Sequence, residues 1–592
     1  MPSPVTLPRD EKGILKVGLD LINICRASAG QRAAAYRAYA MIANTGRQDG
    51  SRSMINMMHR HLDRVASHLF SPTELRFAIS FDEDYPEEYS KRAQRAALLL
   101  TRDWQRSSTD MMFSLGVVES LKYGACFLKQ WPSQSGGHTF NHNRALVMPW
   151  QIGFYREDVN DIKNSPAVCE TMLLTMPEVW RRIYHLPDAD RLYKRIEQHA
   201  QQGSGDEVTN SFFHQVLSTG QLNTSGVSGS QPAPGGIVQV TNGIVPSDIS
   251  IGGLAPMVKM HELWVWDDDD YTTIQVIEPD ILIAPLMRKS NLLISSPLLP
   301  EVEGPHQPKT DPCQLHPYTL IQPNQEHGTI WGRSELADLI EPQDNLASMA
   351  DDQKRALGLV IDKILGFSGD DGITDDAYDQ MRMAGYYKSS PGSSIVDLTP
   401  KFPTELPAMI EQQIKIIEMV GGLEGLMAGR GEPGVRAGTM QDKLIKTASP
   451  GLRDRSLLVE RQCAEAADLW LTVMEAKEPT TYWTDGRTPE AREKTSFILA
   501  DLPGDRFVQV DSHSGSPIFA DDHMQLTMMG LKTGMIAPED ALEDLPFPNK
   551  EVKQQRLKGR NEKREQMMKQ LMEKDPQALE KLLGAKSGRG HH

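Results

Sequence analysis

Residues 334–477 place five elements in an order that constrains the whole chain. An amphipathic helical stretch, SELADLIEPQDNLASMADDQKRAL, comes first. A compact unit spanning 358–404 follows, then a second amphipathic helix, ELPAMIEQQIKIIEMV. After it comes GLMAGRGEPGVRAGTM, residues 425–440, with five glycines and two arginines. Beyond Thr439 a long helical pattern runs to about Lys477, interrupted by Pro450. In the first helix Leu336, Leu339, Ile340, Leu346, Met349, Ala350 and Leu357 share one face, and in the second Met409, Ile410, Ile414, Ile417 and Val420 do so. Each apolar face must be covered, either within the subunit or by a neighbouring copy in a ring. Ser334 can cap the first helix, whereas Pro342 predicts a kink or a start one turn later.

The chain as a whole is expected to be mixed α+β and predominantly helical. Its 592 residues exceed one ordinary core and suggest three or four structural regions. Residues 11–130 are predicted to be helical. Met54, Met57, Met58, Leu62, Val65 and Leu69 form one stripe, better explained as core than as a cofactor contact, and Pro86 opens a further helix. RALVMPWQIGFYRED, HPYTLIQP and DRFVQVDS read as strands. HELWVW and YTTIQVIE read as a hairpin around Asp267–Asp270. This turn lacks the spacing and distal glutamate of a calcium loop, so a solvated turn is favoured. Residues 202–257, rich in Gly, Ser, Thr, Gln and Pro, read as a flexible excursion. Residues 521–592 read as helical and increasingly charged. From Lys550 to Arg589 basic residues outnumber acidic ones by about two to one, as on a solvated helix surface.

Composition narrows the function classes. A formal net charge of −16 disfavours a chain that grips nucleic acid over its whole surface. DNA, if handled, would touch local basic points. Five scattered cysteines without C-x-x-C spacing predict reduced thiols and an intracellular assembly site, with no disulfide framework or zinc site. No apolar run approaches the roughly 18–20 residues of a membrane span, and MPSPVTLPRDEKGILKV lacks the apolar core of a secretory leader.

Catalytic patterns are weak. Gly429, Gly431 and Gly434 spell G-x-G-x-x-G, but a dinucleotide site needs a strand before the glycines and a helix opening at them. Here a helical pattern precedes, Pro433 sits before the third glycine, and Asp454 falls inside a predicted helix rather than at a strand end. There is no Walker A loop, no G-x-S-x-G and no H-E-x-x-H. His59 and His61, two residues apart on a helix, face different ways and make poor joint ligands. No catalytic residue, cofactor or metal site is therefore expected. A nucleotide-binding enzyme using Gly429–Gly434 stays as one alternative, and a large structural component of an assembly, such as an adaptor or internal core protein, as another.

The order GRSELADLIEPQDNLASMADDQKRA, compact insert, LPAMIEQQIKIIEMVGG, Gly/Arg loop and TMQDKLIKTASPGLRDRSLLVERQCAEAADLW resembles tailed-bacteriophage portal proteins, nearest to those of short-tailed phages. The resemblance implies a dodecameric ring at one capsid vertex, through which double-stranded DNA is packaged and ejected. By position it implies a wing over 1–333, a first stem helix at 334–357 and a clip at 358–404. It then implies a second stem helix at 405–420, a tunnel loop at 421–438, a long wing helix and mixed segment at 439–520, and a crown at 521–592. Arg430 and Arg436, with Gly429, Gly431 and Gly434, would meet the DNA backbone without reading bases. Asp370, Asp371, Asp375 and Asp376 would lie in the clip that docks the packaging motor and the tail adaptor. The implied partners are further copies of the chain, major capsid and scaffolding proteins, the large terminase subunit and head-tail adaptor or tail proteins, with no membrane. The implied location is the virion's portal vertex, after assembly in the host cytoplasm.

Overall fold

The computed structural model describes residues 5–8, 10–49, 51–73, 75–81, 85–134, 140–184, 186, 188–202, 237–240, 243–246, 257–267, 270–278, 280–283, 316–361, 365–368, 394–397, 403–422, 450–477, 480–485, 493–499, 502–503, 506–510, 527–533 and 535. The fold is mixed α+β. Five helices lead: α1 (Glu11–Arg26), α2 (Ala29–Thr45), α3 (Met58–Leu69), α4 (Glu87–Ser107) and α5 (Thr109–Tyr123), with strand β1 (Phe77–Phe81) after α3. Strands β2 (Cys126–Gln134), β3 (Phe140–Val147), β4 (Ile152–Phe154) and β5 (Ala167–Thr175) follow, then α6 (Met176–Ile183) and α7 (Ala189–Gln202). Next come β6 (Ile237–Val240), β7 (Gly243–Pro246), β8 (Met257–Asp267), β9 (Asp270–Ile277), β10 (Ile281–Leu282) and β11 (Tyr318–Ile321). Then α8 (Ile340–Ile361), β12 (Leu365–Ser368), β13 (Ser394–Asp397), α9 (Leu406–Val420) and α10 (Pro450–Lys477) precede β14 (Thr480–Asp485), β15 (Glu493–Ile498) and β16 (Arg506–Val510).

Local chemistry accounts for several boundaries. Asp10 caps α1 by accepting from Gly13 N at 2.9 Å, with Glu11 in the first turn and Arg26 in the last. Thr175 and Glu178 form a capping box on α6. The apolar run from Asp110 to Trp131, expected to be helical, breaks at Gly124 and continues as β2. Gly124 has φ +95°, and a Cβ there would sit 2.6 Å from the Trp331 carbonyl oxygen. Only glycine reverses the chain at that point. The helix expected from Ser334 begins instead at Ile340, with Pro342 in its first turn, where the missing N–H costs nothing. Ser334 serves a different purpose, because its hydroxyl donates to Lys122 O at 2.6 Å while Glu335 N donates to Leu121 O at 2.8 Å. The 334–335 strap thereby satisfies orphan carbonyls at the end of α5.

The five-stranded sheet, ordered β10-β9-β8-β5-β4, carries α1 on one face. Strand period two explains this: Leu263 and Val265 of β8 meet Ile14, Leu21 and Cys25, while Trp264 and Trp266 turn the other way. There they pack with Phe127 and Tyr318 from the three-stranded sheet, ordered β11-β2-β3. The expected hairpin is present, with Asp267 opposite Asp270. The largest core joins α3, α4, α5, α8, α9 and α10, and Met58, Leu62, Val65 and Leu69 of the methionine-rich stripe lie in it. Met54 is exposed, because α3 starts only at Met58. Trp470 anchors α10 by stacking on His142 at 3.6 Å between ring centres. Strand β1 pairs antiparallel with β16, closing the body across more than 400 residues. Four cysteines, Cys25, Cys126, Cys169 and Cys463, are buried free thiols.

Candidate functional site

Arg430, Arg436, Gly429, Gly431 and Gly434 lie outside the described residues, as do Asp370, Asp371, Asp375 and Asp376. Most of the 202–257 stretch and nearly all of 521–592 do so too. What the structure describes is the framework from which the Gly/Arg segment departs and to which it returns.

That framework starts with a helix pair. Helices α8 and α9 run antiparallel, and Gln413 donates to Pro342 O at 3.0 Å across them. The first turns of α8 are held by the body. Gln343 is fully buried, accepting from Met57 N at 3.1 Å and donating to Ile55 O at 2.7 Å. Arg47 bonds Ala347 O at 2.9 Å and pairs with Asp351. Past Asp351 the burial stops, and Asp352, Lys354, Arg355 and Leu357 are exposed. The distal half of α8 thus leaves the body with Leu357 exposed, and Met409 presents apolar surface on α9. Strands β12 and β13 pair beyond the helix ends, with Ser368 opposite Ser394. The four clip aspartates fall in sequence between these strands.

The Gly/Arg segment is pinned at its base. Helix α9 ends at Gly421, whose missing side chain lets it rest on His61, since a Cβ would lie 2.6 Å from His61 Cε1. Gly422 then turns the chain at φ +65°. His61 faces Glu335 at 3.4 Å. Glu335 in turn accepts from Arg455 at 3.0 Å and from Asn324 at 2.8 Å. Arg455 lies in the second turn of α10. One buried carboxylate therefore ties the exit of α9 to the entry of α10. Burial would raise Glu335, but the hydrogen bond to His61 and the Arg455 charge outweigh it and hold the carboxyl below its usual range. The described residues on either side of 423–449 thus meet at the same polar cluster.

Two further buried polar clusters were invisible in the sequence. Lys129 on β2 bonds Glu170 on β5 at 2.5 Å and Glu262 on β8 at 2.8 Å. Tyr318 donates to Glu170 at 2.6 Å, and Trp264 to Glu262 at 2.9 Å. Burial works against the Lys129 charge, yet the two carboxylates win and hold its pKa above the usual value. This triad joins the two sheets. The second cluster brings Asp103, Ser107 and His142 together. Both Asp103 and Ser107 approach the same imidazole nitrogen, Nδ1, at 3.1 Å, while Nε2 meets Gln130 at 2.9 Å. A nucleophile relay needs the acid and the hydroxyl on opposite nitrogens, so this geometry positions rather than relays. Burial lowers the His142 pKa.

His59 is exposed and His61 buried, so the two do point different ways. Among the described residues no three His, Cys, Asp or Glu side chains are grouped to hold a metal ion, and no helix is long and apolar enough to cross a membrane. No protein-family model and no curated protein matches the chain.

Sequence reasoning missed His61, Glu335 and Arg455 as a unit. They are separated by 274 and 120 positions, and no local spacing signals such a contact.

Proposed function

We propose that this chain is the predominantly helical subunit of a viral portal. In this reading, copies form a ring at one capsid vertex whose central channel passes double-stranded DNA. The supporting observation is the arrangement around Glu335. Helix α8, antiparallel to α9, leaves the body over its distal half, a strand pair follows it in the chain, and the described residues flanking a 27-residue glycine- and arginine-containing stretch meet at one polar cluster. In a ring, α8 and α9 would be the stem helices, 365–397 part of the clip, 423–449 would include the loop facing the channel, and α10 the helix behind it.

Physical chemistry supports the assignment of roles. A conduit must not hold its cargo. Each phosphate neutralised by a fixed cation adds salt-dependent affinity, and many such contacts would stall a sliding duplex. An acidic subunit with a net charge of −16 and two arginines on one loop meets that requirement. Exposed apolar side chains on the helix pair, Leu357 and Met409 among them, give neighbouring copies something to cover.

Negative-stain microscopy of the purified chain tests the proposal. A closed ring with a central hole, twelve-fold in class averages, is the expected result. A monomer or an open filament at micromolar concentration would overturn it.

A further inference from the structure

A cleft of about 280 Å³ separates β11 from α10. Its floor is a strand edge that no other described strand pairs. Strand β11 is the outer strand of its sheet, bonded on one side to β2. Gln130 N donates to Pro317 O at 2.9 Å, which sets the alternation. Thr319 and Ile321 then exchange bonds with β2, whereas the Tyr318 carbonyl and both main-chain groups of Leu320 point away from it. Further along, Gln462 of α10 closes the edge by accepting from Gln322 N at 2.9 Å and donating to Gln322 O at 3.2 Å. Tyr318, Thr319 and Leu320 line the cleft, and among the described residues no such cap covers them.

Two side chains add unmet demands at the same place. His316 is 2% exposed and lines the cleft. Its Nδ1 accepts from Tyr318 N at 3.3 Å, so Nε2 carries the proton, and that N–H has no acceptor among the described residues. Asp468 Oδ1 is buried and has no donor among them. Asp468 and Glu465 sit three residues apart on α10, so both face the cleft. Burial raises both carboxyls above their usual range. Arg461 Nε already stands 3.6 Å from Glu465, and Lys163 and Asp161 also line the cleft, leaving the formal balance negative and Asp468 Oδ1 the carboxylate oxygen still without a donor among the described residues.

We propose that this cleft binds an extended peptide segment bearing an arginine or lysine, its main chain pairing with the free edge of β11 and its cation resting on Glu465 and Asp468. A peptide carbonyl accepts from His316 Nε2–H or from Leu320 N–H, and a peptide N–H donates to the Tyr318 or Leu320 carbonyl. The side-chain cation supplies the donor that Asp468 lacks. This is strand addition of the kind used by other peptide-binding sheet edges, with the charge setting specificity. It does not depend on ring formation.

Titration calorimetry of the full chain with acetyl-Gly-Gly-Arg-Gly-Gly-amide tests the proposal. Saturable binding is expected, with net proton release in the acid range, because a bound cation favours the ionised carboxyls that burial disfavours. Release is read from two buffers of different ionisation enthalpy. The same peptide with glutamate in place of arginine should not bind. N-methylation of the arginine main-chain nitrogen and its neighbour should weaken binding at least about tenfold, the equivalent of one lost interaction of ~1.4 kcal/mol. Glu465→Gln with Asp468→Asn should do the same. No saturation with the arginine peptide, equal binding of the glutamate peptide, or indifference to N-methylation would each overturn the proposal. These arms use the unmodified protein and stand even if the double variant fails to fold. Free arginine binding as tightly as the peptide would likewise reject strand pairing.

Discussion

Glu335 and Arg455 meet at 3.0 Å although 120 positions separate them, and His61 closes on the other oxygen of the same carboxylate. The residues flanking the Gly/Arg segment are thereby locked to one point of the body. Removing the carboxylate strands partially buried donors on three elements. Glu335→Ala is expected to cost about 2–4 kcal/mol, because the partners of a buried charge lose their compensation. Denaturant unfolding measures this. A double-mutant cycle with Arg455→Ala should give less than the sum of the single effects, whereas strict additivity would show that the contact contributes nothing.

Lys129 holds two carboxylates apart by lying between them. Lys129→Met leaves Glu170 and Glu262 facing each other in a buried site, and a loss of about 3–5 kcal/mol is expected. Neutralising both acids as well, by Glu170→Gln and Glu262→Gln in the same chain, should restore much of that loss. If Lys129→Met alone melts at the temperature of the unmodified protein, the triad has no structural weight.

Acid should weaken the fold through His316. Burial pushes its pKa down to about 4, against a value near 6.5 in the unfolded chain. Between those values the unfolded state binds the extra proton, so stability falls as pH drops from about 6.5 to about 4, by roughly 3 kcal/mol. His142, also lowered by burial, acts in the same direction. Glu335, with a depressed carboxyl, loses its contribution only at lower pH, as the solution falls through its folded value. The raised Glu465 and Asp468 oppose the trend in the carboxylate range. Comparing the unmodified protein with His316→Gln isolates one group. Melting temperatures of the variant should depend less on pH across this window, and parallel curves would contradict the assignment.

Gly124 allows no side chain. Its φ of +95° and the Trp331 carbonyl oxygen, 2.6 Å from where a Cβ would stand, leave no room. Gly124→Ala should destabilise by more than about 2 kcal/mol, combining backbone strain with a steric clash against main chain. Gly328→Ala is the control, since it shares a positive φ but has open space around it, and it should cost about 1–2 kcal/mol at most. Equal melting shifts for the two would reject the steric argument.

The portal reading makes a functional prediction at the loop. Arg430→Ala with Arg436→Ala should leave ring assembly unchanged, because the proposed ring contacts run through the helix faces of α8 and α9. DNA retention after packaging should fall. Gel analysis of encapsidated DNA measures it, and full retention would remove these arginines from the channel.

Much of the element order was legible from local pattern. The hairpin around Asp267–Asp270 follows from period-two alternation, α3 from its apolar stripe, and the helix that ends at Lys477 from its helical pattern. Pro342 already argued for a helix start later than Ser334. These signals are local because side-chain spacing along one element decides which face it buries. The tertiary structure alone decided the rest. It turned the helical-looking run after Gly124 into a strand, because the Trp331 main chain closes over that glycine. It paired β1 with β16, assembled His61, Glu335 and Arg455, and, among the described residues, left the β11 edge unpaired beside His316. Such contacts join residues hundreds of positions apart. They exist because each buried charge or main-chain group must find a partner somewhere in the folded volume, and no spacing within a single element says where.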